Sequence, residues 1–179
     1  ASDAADYLGS ARYMMVSHAP SGPVYNIVAH YWLAAFGPVF GDSHSLALLS
    51  SVSAALAAAM LYMMSGTGLT VLVFEASMLV VGQATVVDLN AMVILGALMA
   101  FWLHRAERHT LKYLPLAAGQ VFGVIYGVVF LVWDTWREER PFWKSLLPFV
   151  LSLTPYAYIF LANTPSPWLA DKSAESYLA

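Results

Sequence analysis

Asp3 and Asp6, two carboxylates three residues apart, are followed by Arg12, His18, Pro20, Gly22, Pro23 and Tyr25, the densest polar and conformationally restricted stretch of the chain. Three-residue spacing sets both carboxylates on one helix face. There one could take a proton from a hydroxyl while the other orients a cation or a substrate hydroxyl. Pro20 and Pro23 restrict the backbone around Gly22 and would hold His18 and Tyr25 in fixed positions. The same residues also suit plain structural roles: Ser2 or Asp3 as a helix N-cap, Asp6 near the positive end of the helix dipole, His18 as a surface histidine. The sequence contains no cysteine, so there can be no thiolate nucleophile, disulfide or cysteine-ligated zinc, and histidine and carboxylate must carry any chemistry.

The elements that position these groups are unusually apolar. Of 179 residues, 60% are hydrophobic with glycine uncounted, and only 11% are charged. A soluble domain has about 45–50% apolar residues with glycine included and about 25% charged. That much apolar surface implies an integral membrane protein. A net charge of -3 with no run of five like charges excludes a nucleic-acid footprint and a disordered acidic tail. The chain opens at Ala1 without a basic and apolar leader pattern, giving the expectation that a preceding segment was removed. No linker or low-complexity insert divides it, so residues 1–179 read as one all-α, polytopic membrane module. Residues 1–43 form its extracytoplasmic and interfacial segment, 44–162 its transmembrane helices and 163–179 its tail.

Five stretches approach the roughly 20 apolar residues that a spanning helix needs: Leu46 to Met64, Leu69 to Gln83 with Glu75 near its middle, Leu89 to Leu103, Leu114 to Trp133, and Phe142 to Ala162. Pro148 and Pro155 predict bends in the last. Val24 to Phe40, interrupted by Asn26, His30, Gly37 and Pro38, reads as an interfacial helix with Ile27, Tyr31 and Ala34 on one face. Ala4 to Val16 behaves similarly. The basic run from His104 to His109 marks a cytoplasmic end, which puts the amino-terminal segment outside. The loop from Asp134 to Arg140, with Lys144 beyond it, also prefers the inside, although one span separates the two basic loops. A re-entrant hairpin through Gly119, Gly123 and Gly127 is the alternative to an ordinary span there.

The order of motifs resembles the GT-C superfamily of polytopic glycosyltransferases, in particular its protein O-mannosyltransferase and aminoarabinose-transferase branch. The parallel runs from Asp3-Ala4-Ala5-Asp6 through His18-Ala19-Pro20-Ser21-Gly22-Pro23-Val24-Tyr25 to His30-Tyr31-Trp32 and Phe36-Gly37. It continues in Leu48-Leu49-Ser50, Asp88-Leu89-Asn90 and Leu153-Thr154-Pro155-Tyr156. The resemblance implies transfer of a sugar from a polyprenyl-phosphate donor to an acceptor at the extracytoplasmic face. Asp3 would then be the base and Asp6 its catalytic companion, with Arg12, His18, Tyr25 and Asp88 binding substrate and an undefined divalent metal as an optional aid. The chain would match the amino-terminal portion of longer members. The alternative is a non-catalytic accessory subunit, descended from such an enzyme, packed against other membrane proteins in a larger complex.

Other features read as packing. Ser51, Ala55 and Ala59 recur every four residues, with Ala54 and Ala58 beside them, and allow close helix approach. Glu75 within a span would need a partner, a proton or a cavity, unless the span is short and tilted. His104, near the end of an aromatic-rich helix, is placed either as an ordinary cytoplasmic histidine or as a ligand to a pigment metal.

Overall fold

The computed structural model describes residues 3–14, 22–77 and 90–157, and these contain helices and no strand. Helix α1 (Asp3–Tyr13) lies along α2 (Pro23–Phe40), which Pro23 opens from the first turn, where a missing N–H costs nothing. The helix runs unbroken through Gly37 and Pro38, so the expected interruption does not occur. Pro38 sits in the last turn, where only the Ala34 carbonyl loses its intrahelical partner. Asn26, Ala29, Leu33 and Gly37 form its buried face, while Tyr31 and Ala34 are exposed and Ile27 is half-buried.

Gly41 alone joins α2 to α3 (Asp42–Ser65), at φ 78° and ψ 154°, a conformation that a Cβ would penalise. The two helices run antiparallel, and the Trp32 indole N–H donates to the Ser45 carbonyl (2.8 Å). Small residues dominate the buried side of α3: Ser50, Ser53, Ala54, Ala57 and Ala58. Of the two small-residue stripes read from the sequence, Ala54 and Ala58 therefore pack inward, while Ala55 and Ala59 face out beside half-buried Ser51. The buried Ser50 hydroxyl bonds back to the Leu46 carbonyl (3.3 Å), satisfying its hydrogen-bonding need within the helix.

After the left-handed Gly66 the chain reverses into α4 (Gly68–Glu75), with Glu75 exposed at its end. Helix α5 (Asn90–Arg105) runs parallel to α3. Met92 and Val93 meet the core around Leu46 and Leu49 at one end, and Arg105 donates to the Met64 carbonyl (2.8 Å) at the other.

A nine-residue 3-10 segment (Leu111–Gly119) then climbs antiparallel to α5, and α6 (Gln120–Trp136) descends beside it. Such segments rarely exceed 3–4 residues, and close glycine contacts hold this one. A Cβ added at Gly96 of α5 would lie 2.6 Å from the Pro115 carbonyl oxygen, and one at Gly123 of α6 would clash with that of Leu116. The stretch Leu114 to Trp133 is therefore a hairpin and not one straight helix, so the basic stretches before and after it adjoin. Because the Leu116 backbone cannot swing aside as a side-chain tip can, Gly123→Ala should cost about 1–3 kcal/mol of stability. Denaturant unfolding of the variant checks this, and a loss below about 0.5 kcal/mol would mean that the segment is not pinned there.

Helix α7 (Phe142–Ser152) crosses antiparallel to α6, with the Phe149 ring seated on Gly127. It carries Pro148 internally and ends three residues before Pro155, inside the short 3-10 turn Thr154–Tyr156. Residues 158–162 of the expected last span, like 78–83 of the second, lie outside the described residues. Among those described, α3 is the one helix long and apolar enough to cross a membrane, while Asn90–Arg105 and Phe122–Trp136 are shorter apolar helices.

Candidate functional site

Two polar assemblies lie at opposite ends of α3. At the first, α1 is fixed on α2 by the Tyr7 ring edge against Tyr25 (centroids 5.5 Å apart) and by the Ser10 hydroxyl donating to Asn26 Oδ1 (3.3 Å). The His30 Nδ1–H donates to the Ala11 carbonyl (2.9 Å). This packing brings the Arg12 guanidinium to the Asp42 carboxylate at the head of α3, in an ion pair exposed enough for solvent to screen. Arg12, His30 and Asp42, with Leu33, Ala34 and Gly37, line a cavity of about 340 Å³.

Of the residues singled out from the sequence, the structure brings Arg12 to this cavity. Asp6 is half-buried on α1. Tyr25 is 1% exposed and packs in the core instead of lining the cavity. Asp3 opens α1, but its side chain, together with His18 and Asp88, lies outside the described residues. His30 and Asp42 were not read as site residues. Their signal was positional, a histidine next to the α2 midpoint and a carboxylate immediately after the Gly41 corner.

The second assembly gathers the end of α5, the start of the 3-10 segment, the end of α6 and the start of α7. Lys112 and Asp134 form an ion pair in which both side chains are 0% exposed. The same carboxylate accepts from the Tyr113 hydroxyl (2.9 Å) and the Ser145 hydroxyl (2.8 Å). The Lys112 ammonium also lies 3.1 Å from His104 Nδ1 and 5.0 Å from the Phe130 ring centroid. At the rim, Glu138 approaches His109 Nδ1 (2.9 Å) and His104 Nδ1 (3.9 Å). Asp134 to Trp136, expected in a loop, belong to α6, because the buried anchor on Asp134 holds that turn inside the bundle.

His104 and Tyr113 flank the apolar stretches, and their environment favours the neutral form of each. Burial, with the Lys112 charge second, lowers the His104 pKa from its ordinary value. Burial, with the Asp134 charge second, raises that of the Tyr113 phenol well above 10. Glu107 and Glu139, which follow α5 and α6, both take left-handed φ values (57° and 51°) where glycine is the usual residue.

Chemically, the first assembly offers an accessible cation beside a cavity. The second offers a charge-compensated network whose rim exposes imidazole and carboxylate. Comparison of the chain with protein-family models, curated proteins and solved structures finds no match.

Proposed function

We propose that this chain is a GT-C-like membrane glycosyltransferase module that moves a sugar from a polyprenyl-phosphate donor to an acceptor hydroxyl at the extracytoplasmic face. One observation carries the reading: a cation-bearing cavity, held by α1 and α2, at the head of the one described helix long enough to cross a bilayer. From Asp42 to Met64 that helix rises about 33 Å at 1.5 Å per residue. That slightly exceeds a hydrocarbon core of about 30 Å. The polar assemblies sit at its two ends. Between them large apolar side chains face outward on α3 (Leu48, Val52, Leu56), α6 (Ile125, Val129) and α7 (Leu147, Val150), a surface suited to lipid.

The chemistry proposed is an inverting displacement. The acceptor oxygen attacks the anomeric carbon, the bond from that carbon to the phosphate oxygen breaks, and the hydroxyl proton passes to Asp3, the base that the resemblance implies. Arg12 takes the developing phosphate charge, exchanging its pairing with Asp42 for a bidentate one. Asp42, the carboxylate lining the cavity, is already ion-paired. The described cavity residues therefore hold no free carboxylate pair for a divalent metal, and no step is assigned to one.

The membrane reading makes a prediction of its own. Single cysteines at Ser43, Arg108 and Arg137 should divide two ways: Ser43 labelled from outside, Arg108 and Arg137 from inside, since the hairpin returns the chain to its starting side. Labelling of Ser43 and Arg108 from the same side would overturn the orientation, and labelling of Arg108 and Arg137 from opposite sides would overturn the hairpin.

The accessory-subunit reading draws on Ala55 and Ala59, exposed beside Ser51 on α3, a stripe suited to a further helix. Detergent extraction and mass analysis separate the readings. Recovery with bound polyprenyl phosphate supports the enzyme, and a stoichiometric assembly with unrelated membrane proteins supports the subunit.

A further inference from the structure

The geometry points to a zinc-class divalent metal site at the basic end of the bundle, with His104, His109 and Glu138 as ligands and water completing the tetrahedron. It lies at the opposite end of α3 from the proposed transfer cavity and does not depend on that reading.

The ligand types and spacing are those of a metal site. Two imidazoles and a carboxylate form a common zinc set with an open fourth position. Bonds of about 2.0–2.1 Å place the ligand atoms of a tetrahedral ion roughly 3.3 Å apart. The spacings here bracket that value: 2.9 Å from His109 Nδ1 to Glu138 Oε2, and 3.9 Å from His104 Nδ1 to Glu138 Oε1. With an Asp134 oxygen included, all four candidate atoms lie within 4.8 Å of one another.

The orientation of these atoms is a second and independent observation. His109 Nδ1 and Glu138 Oε2 are buried atoms at ion-pair distance, yet neither has a hydrogen-bond partner among the described residues. Two buried polar atoms this close and without a hydrogen bond are an arrangement that a cation bound by both would satisfy. His104 Nδ1 faces the Lys112 ammonium, which has no lone pair to offer. That ring nitrogen therefore accepts from Lys112 through its lone pair, which puts the ring proton on Nε2, the tautomer in which Nδ1 can ligate a metal once Lys112 releases it.

Asp134 and Lys112 act from behind. Asp134 is held by Lys112, Tyr113 and Ser145, so it stays with them and is not counted as a ligand. Two carboxylates and one ammonium leave a net charge of -1 facing the ion. On binding, Lys112 gives up His104 and keeps Asp134. The turn after α5 that carries His109 would then be clamped to the end of α6, fixing the mouth of the hairpin where Glu107 and Glu139 hold left-handed backbone.

The test uses the full chain in detergent, stripped with chelator and titrated with Co2+ and then Zn2+ as bare ions. A tetrahedral site predicts intense visible cobalt absorbance that saturates at one equivalent and is abolished by Zn2+. Loss of an outer-shell partner alone costs about 10–100-fold in affinity. His109→Gln and Glu138→Gln should therefore each weaken Zn2+ binding by at least about 100-fold, while His44→Gln, an exposed histidine on α3, leaves it unchanged. Both ligand positions are partly exposed, and circular dichroism of the metal-free variants checks that they fold. Zn2+ should also raise the wild-type melting temperature, a reading that needs no variant. Absence of saturable cobalt absorbance in the wild type, or binding that survives both substitutions in folded protein, overturns the site.

Discussion

Asp134→Ala is expected to lower unfolding stability by about 3–5 kcal/mol, the range for stranding one partner of a buried ion pair. Removing that carboxylate leaves the Lys112 ammonium 0% exposed without a counter-ion, and takes the acceptor from the Tyr113 and Ser145 hydroxyls. One side chain thus joins the 3-10 segment, α6 and α7, and the loss should weaken all three contacts together. Replacing both charges, as Lys112→Met with Asp134→Leu, should recover most of the stability, because the desolvation cost of the charges goes with them. Denaturant titration in micelles, followed by tryptophan fluorescence, gives both numbers. A loss under about 1 kcal/mol for the single variant would show that the pair is solvated and not a core element.

The pH dependence has a definite sign. The Tyr113 phenol is raised in the folded state, so its contribution is fully present below an ordinary tyrosine pKa of about 10 and is lost as pH climbs toward the folded value. Alkaline titration should therefore unfold the hairpin.

Much of the chain's first half was legible because local signals agree with packing there. The Val24 to Phe40 run and the Gly66 stop fall within a residue of the ends of α2 and the end of α3, while the run from Leu46 begins four residues inside α3, and of the α2 face read from helical spacing Tyr31 and Ala34 are exposed and Ile27 is half-buried. The hairpin at 111–136 was legible only as one of two alternatives. Its apolar length fits a span, and what turns it back is close approach: Gly96 beneath Pro115 and Gly123 beneath Leu116, contacts between elements that spacing alone does not pair. The Lys112–Asp134 pair was missed for a related reason. Each charge sits at the edge of an apolar run and reads singly as a loop residue, although opposite charges at facing ends of two such runs are themselves a signal. Arg12, read from the sequence as a phosphate-binding cation, lies in the structure beside a cavity. Tyr25 went to the core because its ring fills the gap against Tyr7, a role that the motif does not distinguish from binding.

The central claim, sugar transfer from a polyprenyl phosphate with Asp3 as base, rests most directly on one comparison. Asp3→Asn keeps the shape of the side chain and removes its proton affinity. A general base contributes about 10²–10⁴-fold to rate, so turnover should fall by that factor. The substitution leaves the carbon skeleton and the Arg12 cavity in place, so donor binding should change little and the deficit should appear in kcat and not in KM. The measurement is transfer of labelled sugar from a panel of polyprenyl-phosphate hexoses by the full-length protein in liposomes, wild type against Asp3→Asn, with lipid binding scored in parallel. The account predicts transfer by the wild type, a fall of about 10²–10⁴-fold in the variant, and equal lipid binding by both. Equal turnover by the two proteins would contradict Asp3 as base, and a wild type that neither binds nor turns over any polyprenyl-phosphate donor would contradict the enzyme itself.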